Sequence, residues 1–153
     1  KTYTVEKTDI LRDRWLRSAA DLENLRKRTA REIETKTRRA HESALLEFLD
    51  VVDSLERALA LSTEGEEENS WYQGMKAIHQ QMLDTLGRQG ARPFKSLGER
   101  FDPHRHNAVS CIEDEELENG IIVEVTKTGY EMSDGRLLRA AEVVTIQRSD
   151  HDG

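Results

Sequence analysis

The stretch FDPHRHNAVS (101–110) places Asp102, Pro103, His104 and His106 within five residues. Carboxylate and imidazole groups at this spacing suit two chemistries, a metal site or a general acid–base pair. A His-x-His pair on a strand would put both rings on one face, an acceptable ligand spacing. A zinc or iron site needs three or four ligands, however, and the further candidates Cys111, Glu113 and Asp114 carry no supporting motif. His41 and His79 fall on helical stretches, and His151 lies on the tail. No glycine-rich phosphate loop, no C-x-x-C pair and no G-x-S-x-G occurs. The residues therefore argue for no catalytic residue, no metal and no cofactor, and the cluster is expected to shape or present a surface.

The elements that must position this cluster follow from composition and spacing. The chain is 35% charged and 36% hydrophobic, with a mean hydropathy of −0.75. That is too polar for one large core and too regularly patterned for disorder. Such chains bury their apolar residues in a narrow seam, often against a second copy. The net charge of −7 is uneven: residues 1–40 hold twelve Lys/Arg against seven Asp/Glu, a net of +5. Only Tyr3 and Trp15 could stack on bases there, so an acidic protein is the expected partner and nucleic acid is not. A single cysteine, Cys111, allows no internal disulfide and suits a reducing, cytoplasmic setting; it is expected to be a small buried strand residue. No apolar run approaches a membrane span and no signal-peptide pattern opens the chain. The chain begins at Lys1 rather than Met, so residues are expected to precede it.

From about Thr8 to Leu61 no Gly or Pro occurs, and the composition predicts one very long helix, roughly 80 Å if straight. Leu11, Leu22, Ile33, Ala44 and Leu55 recur every 11 residues, followed four positions on by Trp15, Arg26, Thr37, Phe48 and Leu59. An 11-residue repeat predicts a nearly straight or slightly right-handed helix pair rather than a left-handed coiled coil. The seam is richest over 44–55 and poorest between Arg26 and Ala40, which should separate first on heating. After the acidic STEGEEENS, Ser70-Trp71-Tyr72-Gln73 reads as a capping box. It opens a second helix with Trp71, Met75, Ile78, Met82 and Leu86 at helical spacing, ended by Gly87 or Gly90. Two copies of each helix would form a four-helix bundle. From about Phe94, β-branched alternation broken by Gly129 and Ser133-Asp134-Gly135 predicts four to six short strands. The fold class is thus α+β, with a long helix over 1–61, an acidic loop over 62–69, a second helix over 70–90 and a β-domain over 91–153. Leu11, Leu22, Ile33, Phe48, Leu55, Leu59, Met75, Ile78 and Met82 are the expected dimerisation residues.

Five stretches in this order resemble the GrpE family: ENLRKR (23–28), LLEFLDVVDSLERAL (45–59), GMKAIHQQMLDTLGRQG (74–90), FDPHRHNAV (101–109) and GYEMSDGRLLRAAEV (129–143). Asn107 departs from the acidic residue or Gln common in that family, and Arg139-Ala140-Ala141 from its frequent Arg-Pro-Ala. The resemblance implies a parallel homodimer with two projecting β-wings. It further implies nucleotide exchange on a DnaK-type chaperone: the protein binds the ATPase domain and opens its cleft so that ADP leaves. The chaperone-binding residues it implies are Arg26 and Arg57 on the helices, with Phe101, Asp102, Pro103, His106, Gly129, Tyr130, Arg136 and Arg139 in the wing. It also implies a thermosensor in the long helix. The alternative is a dimeric helical scaffold without nucleotide coupling.

Overall fold

The computed structural model describes residues 2–63, 65 and 69–148, with only the backbone of residues 2 and 3. His151 and most of the acidic run, residues 64 and 66–68, lie outside the described residues. The fold is α+β, in the order α1 (Thr2–Ala60), α2 (Ser70–Arg88), β1 (Ala91–Pro93), β2 (His106–Glu113), β3 (Ile122–Lys127), β4 (Tyr130–Met132), β5 (Leu137–Arg139) and β6 (Ala141–Gln147). Two compact units divide the chain, Lys1–Ser43 and Ala44–Gly153.

The first unit is wholly helical where described, and its side chains from 4 to 43 are exposed except for Thr35 and Glu42. Leu11, Leu22 and Ile33 remain 57%, 48% and 61% exposed. Among the described residues nothing covers this stripe, and helices in proteins draw most of their stability from packing an apolar face rather than from propensity.

The second unit begins with the last third of α1. Leu45, Leu49 and Val52, at helical spacing, pack with Leu86 of α2, Ala91 of β1, and Tyr130 and Met132 of β4. Phe48, Met82, Leu83 and Leu138 close this core at its margin. The intrachain face of α1 is therefore centred on Leu45, Leu49 and Val52, with Phe48 of the 11-residue stripe at its margin. α1 ends with Leu61 N–H donating to Arg57 O (3.3 Å) and Ser62 N–H to Leu59 O (3.2 Å), which satisfies two terminal carbonyls.

α2 is capped one residue earlier than the expected box. Asn69 is the N-cap, its side chain accepting from Trp71 N–H at 3.1 Å. Asn caps as well as Ser does, and it alone stands before the first helical turn. Gly87 stays within α2; Gly90, at φ +87°, makes the left-handed exit that only glycine takes without strain. Its carbonyl then accepts from Ser133 N–H (2.8 Å), tying the end of α2 to the β4–β5 turn.

Six strands form two three-stranded sheets, β1-β4-β5 and β2-β6-β3. The first is antiparallel; in the second, β2 runs parallel to the central β6 and β3 antiparallel to it. β6 is buried at Ala141 and from Val143 to Ile146, as a central strand covered on both faces should be. Only Ala140 separates β5 from β6, so the chain changes sheets at a single residue. The first strand, Ala91–Pro93, precedes the expected start near Phe94; three residues are too few to show a period. Cys111 is exposed rather than buried, because β2 is an edge strand whose residues 107–113 are all uncovered.

A second core of Ile122, Ala141 and Val143 takes in Phe94, Phe101 and Val125. Gly129 lies against Phe94 so closely that a Cβ there would clash with the Phe94 ring. Gly129→Ala should therefore cost about 1–3 kcal/mol in denaturant unfolding. The cost should shrink in a Phe94→Leu background, since the two side chains compete for one volume. Equal costs in both backgrounds would contradict this contact.

Candidate functional site

The Asp102–His106 segment is a turn that closes on itself. Asp102 Oδ1 accepts from His104 N–H at 2.9 Å, an Asx turn. Its backbone carbonyl accepts from the N–H groups of Arg105 (3.0 Å) and His106 (2.8 Å). Asp102 N–H in turn donates to His106 Nδ1 at 2.9 Å. An N–H can only donate, so Nδ1 holds the lone pair; Nε2 carries the proton and donates to the buried Ser96 Oγ at 3.1 Å. His104 sits in the turn and is exposed, whereas His106 is buried at the start of β2. The two rings thus do not share a strand face as H-x-H spacing alone suggested. Both ring nitrogens of His106 are occupied by the fold. Among the described residues, no three His, Cys, Asp or Glu side chains are grouped to hold a metal.

Around this turn the two sheets are joined. The Arg105 guanidinium lies 4.3 Å from the Phe94 ring centroid, and its Nη2 is 3.3 Å from Glu131 Oε2 on β4. Phe94 and Phe101 flank the His106 ring at 6.1 and 6.0 Å.

A largely buried bidentate ion pair lies elsewhere. Arg139, the last residue of β5, donates from Nη1 to Asp53 Oδ2 (2.6 Å) and from Nη2 to Asp53 Oδ1 (2.9 Å). Its Nε and Nη2 also donate to the Thr128 carbonyl, at 3.1 and 2.7 Å. The side chains are 14% and 6% exposed. The guanidinium stands 5.5 Å from the Tyr130 ring centroid. Tyr130 is itself buried, and burial, with the negative charge of Glu56 adding to it, pushes its phenol up to about 12. This fork fastens the β1-β4-β5 sheet to α1.

The ten residues expected at the chaperone surface are distributed unevenly by the fold. Arg26 and Arg57 are exposed, Arg57 hydrogen-bonded to Ser54 Oγ (3.0 Å). Pro103 is exposed and Arg136 partly so, its Nε 2.7 Å from Asp134 Oδ2. Phe101 and Asp102 are half-buried, while His106, Gly129 and Tyr130 are inside. Of the expected dimerisation residues, Leu11, Leu22, Ile33 and Ile78 are exposed, and Leu55, Leu59 and Met75 are half-buried. Phe48 and Met82 pack within their own chain. Asp53, Phe94 and Arg105 are not among the site residues expected from the sequence. Asp53 had a signal, an acid directly after the apolar pair Val51-Val52.

Fold and site together define a class: an α+β protein whose ionisable side chains hold its β-unit to a long helix and whose other apolar stripe is exposed. The model of the GrpE family matches residues 3–147. Protein GrpE of Parageobacillus thermoglucosidasius is 38% identical over 137 residues, covering 90% of this chain and 61% of that protein. Protein GrpE of Methanosarcina acetivorans is 37% identical over 147 residues, covering 95% of this chain and 69% of its own. That of Brachyspira hyodysenteriae is 37% identical over 139 residues, covering 88% and 68%. The chain spans 61% of the length of the Parageobacillus protein and of its Geobacillus stearothermophilus counterpart. The chain belongs to the GrpE family.

Burial holds the His106 imidazole below the ordinary histidine value of 6.5, and the neighbouring Arg105 charge acts the same way; Asp102 and Glu99 oppose them. Protonation would also remove the lone pair that Asp102 N–H uses. A lowered folded-state pKa means the unfolded chain binds more protons, so stability falls as pH drops below 6.5 and levels off below the folded value. Urea unfolding between about pH 7.5 and pH 5 should show this loss, and His106→Asn should remove part of the slope. An unchanged slope would contradict the neutral, buried assignment.

Proposed function

We propose that this protein is a co-chaperone, not an enzyme, which acts as the nucleotide exchange factor of a DnaK-type chaperone in the cytoplasm. Membership of the GrpE family is the observation that carries the reading. The geometry is consistent with it: a β-unit locked onto a helix can transmit a push, whereas one on a loose linker cannot. In this reading two copies pair along the exposed stripe of Leu11, Leu22 and Ile33, and α2 joins a four-helix bundle through Met75 and Ile78. Arg26, Arg57, Pro103 and Arg136 offer reachable side chains to the ATPase domain. Phe101, Asp102, His106, Gly129, Tyr130 and Arg139 keep the wing in shape behind them.

An exchange factor does no covalent chemistry. It must bind the open, nucleotide-free chaperone better than the closed ADP form, and by linkage ADP must weaken its binding by the same factor. Wing contacts that only the open cleft accepts would supply that difference. Stopped-flow release of a fluorescent ADP from a DnaK-type ATPase domain should accelerate on adding this protein; no acceleration defeats the reading. The exposed apolar stripe also suits a dimeric scaffold without nucleotide coupling. Capture of the ATPase domain that is indifferent to ADP would favour the scaffold.

The stretch from Arg26 to Ala40 offers a seam only Thr29, Ala30, Ile33, Thr37 and Ala40, each small or polar residue forgoing about 1–3 kcal/mol of burial relative to Leu. Heating should separate it reversibly before the β-unit unfolds, lowering exchange and giving a thermosensor. Circular dichroism should show helix loss in two steps, the earlier one reversible. A single melt shared with the strands would exclude this device.

A further inference from the structure

We infer that the Asp53–Arg139 fork is a positioning pin: it fixes the angle of the β-unit on α1, so that binding to the partner is converted into displacement of the partner. This rests on the exchange reading above.

The core between α1 and the β1-β4-β5 sheet is apolar, Leu45, Leu49 and Val52 against Ala91, Tyr130 and Met132, and the Gly90 carbonyl just after α2 accepts from Ser133 N–H of the β4–β5 turn. Apolar packing is non-directional, so a sheet resting on such a patch can rock at small cost. A guanidinium in a bidentate pair has a fixed plane and two fixed donor directions, and permits far less rotation. Arg139 adds a second constraint, since its Nε and Nη2 both hold the Thr128 carbonyl at the β3–β4 corner. Asp53 therefore grips the end of β5 and, through Arg139, the start of β4.

The position along the chain fits the role. Arg139 is separated by Ala140 alone from β6, the central strand of the other sheet. A rotation of β5 on the helix must carry β6 with it. Pinning this one residue thus orients both sheets. A side chain so deeply covered is badly placed to be a partner contact and well placed to act through the sheets it orients.

Three changes test the pin in the full chain: Asp53→Asn, Arg139→Lys, and Asp53→Leu combined with Arg139→Met. Lysine keeps the charge but has no fork, and the apolar pair guards against misfolding, because exchanging a buried ion pair for apolar side chains is usually tolerated. Each should lower the maximal rate of ADP release about tenfold or more. The protein concentration giving half that rate should stay within about threefold of wild type. Spin labels at Glu47→Cys and Leu137→Cys, in a Cys111→Ser background diluted with unlabelled protein, should show a broadened distance distribution in all three. A larger half-saturating concentration at an unchanged maximal rate would make Arg139 a direct contact and overturn the pin. An unchanged rate with an unchanged distance distribution would overturn it as well. If wild type itself fails to accelerate release, the exchange reading falls, and the distance distribution alone decides: broadening supports the pin, no change removes it.

Discussion

A carboxylate placed in a hydrophobic seam must find a partner, and at Asp53 that requirement organises the second unit. The residue follows Val52 on the face of α1 that packs inward, where an unpaired charge would be ruinous. Removing one member of such a pair costs about 3–5 kcal/mol, a large part of what a small domain has in total. The guanidinium that meets it comes from 86 residues further along. To deliver it, the chain must end β5 at this point, turn Thr128 toward the same guanidinium and stack Tyr130 beneath it. Among the described residues the buried Tyr130 hydroxyl finds no hydrogen-bond partner.

Phe94 plays the corresponding part between the sheets. It takes Gly129 against its ring, Arg105 over it and His106 beside it, so aromatic packing rather than a ladder of hydrogen bonds joins the two halves of the β-unit. Three-stranded sheets of this size are too small to be stable alone. The first borrows its apolar floor from α1 and α2, and the second borrows Phe94 and Phe101 from the loops before β2. The histidine cluster belongs to this arrangement. The His106 ring gives its lone pair to Asp102 N–H and its own N–H to Ser96.

α1 carries two apolar stripes with different surroundings. Leu45, Leu49 and Val52 hold its own chain, whereas the 11-residue stripe at Leu11, Leu22 and Ile33 is exposed in the single chain. Apolar periodicity records that a residue will be covered and is silent about by what. Phe48 illustrates the difficulty: it falls on the repeat, yet it packs at the edge of the intrachain core. Met82 does the same on α2.

What the sequence determined by itself was set by local physics. A breaker-free run of more than fifty residues rich in Arg, Glu, Leu and Ala favours helix, a glycine at 87 or 90 can end the next one, and Ser133-Asp134-Gly135 favours a turn. These signals act over a few residues, so they are legible without a fold, and the family resemblance rested on the same stretches in the same order. β1 escaped because three residues carry no period, and Cys111 was misplaced because burial depends on whether a strand is central or at an edge. The parallel pairing of β2 with β6, the meeting of Gly129 with Phe94 and the joining of Asp53 to Arg139 were decided by tertiary structure alone. Each is a contact between distant segments, and no local pattern specifies which of many charges or strands will be brought together. The Asp102–His106 turn stands between the two cases: its residues announced a polar cluster, and only the neighbours supplied by the fold gave that cluster its task.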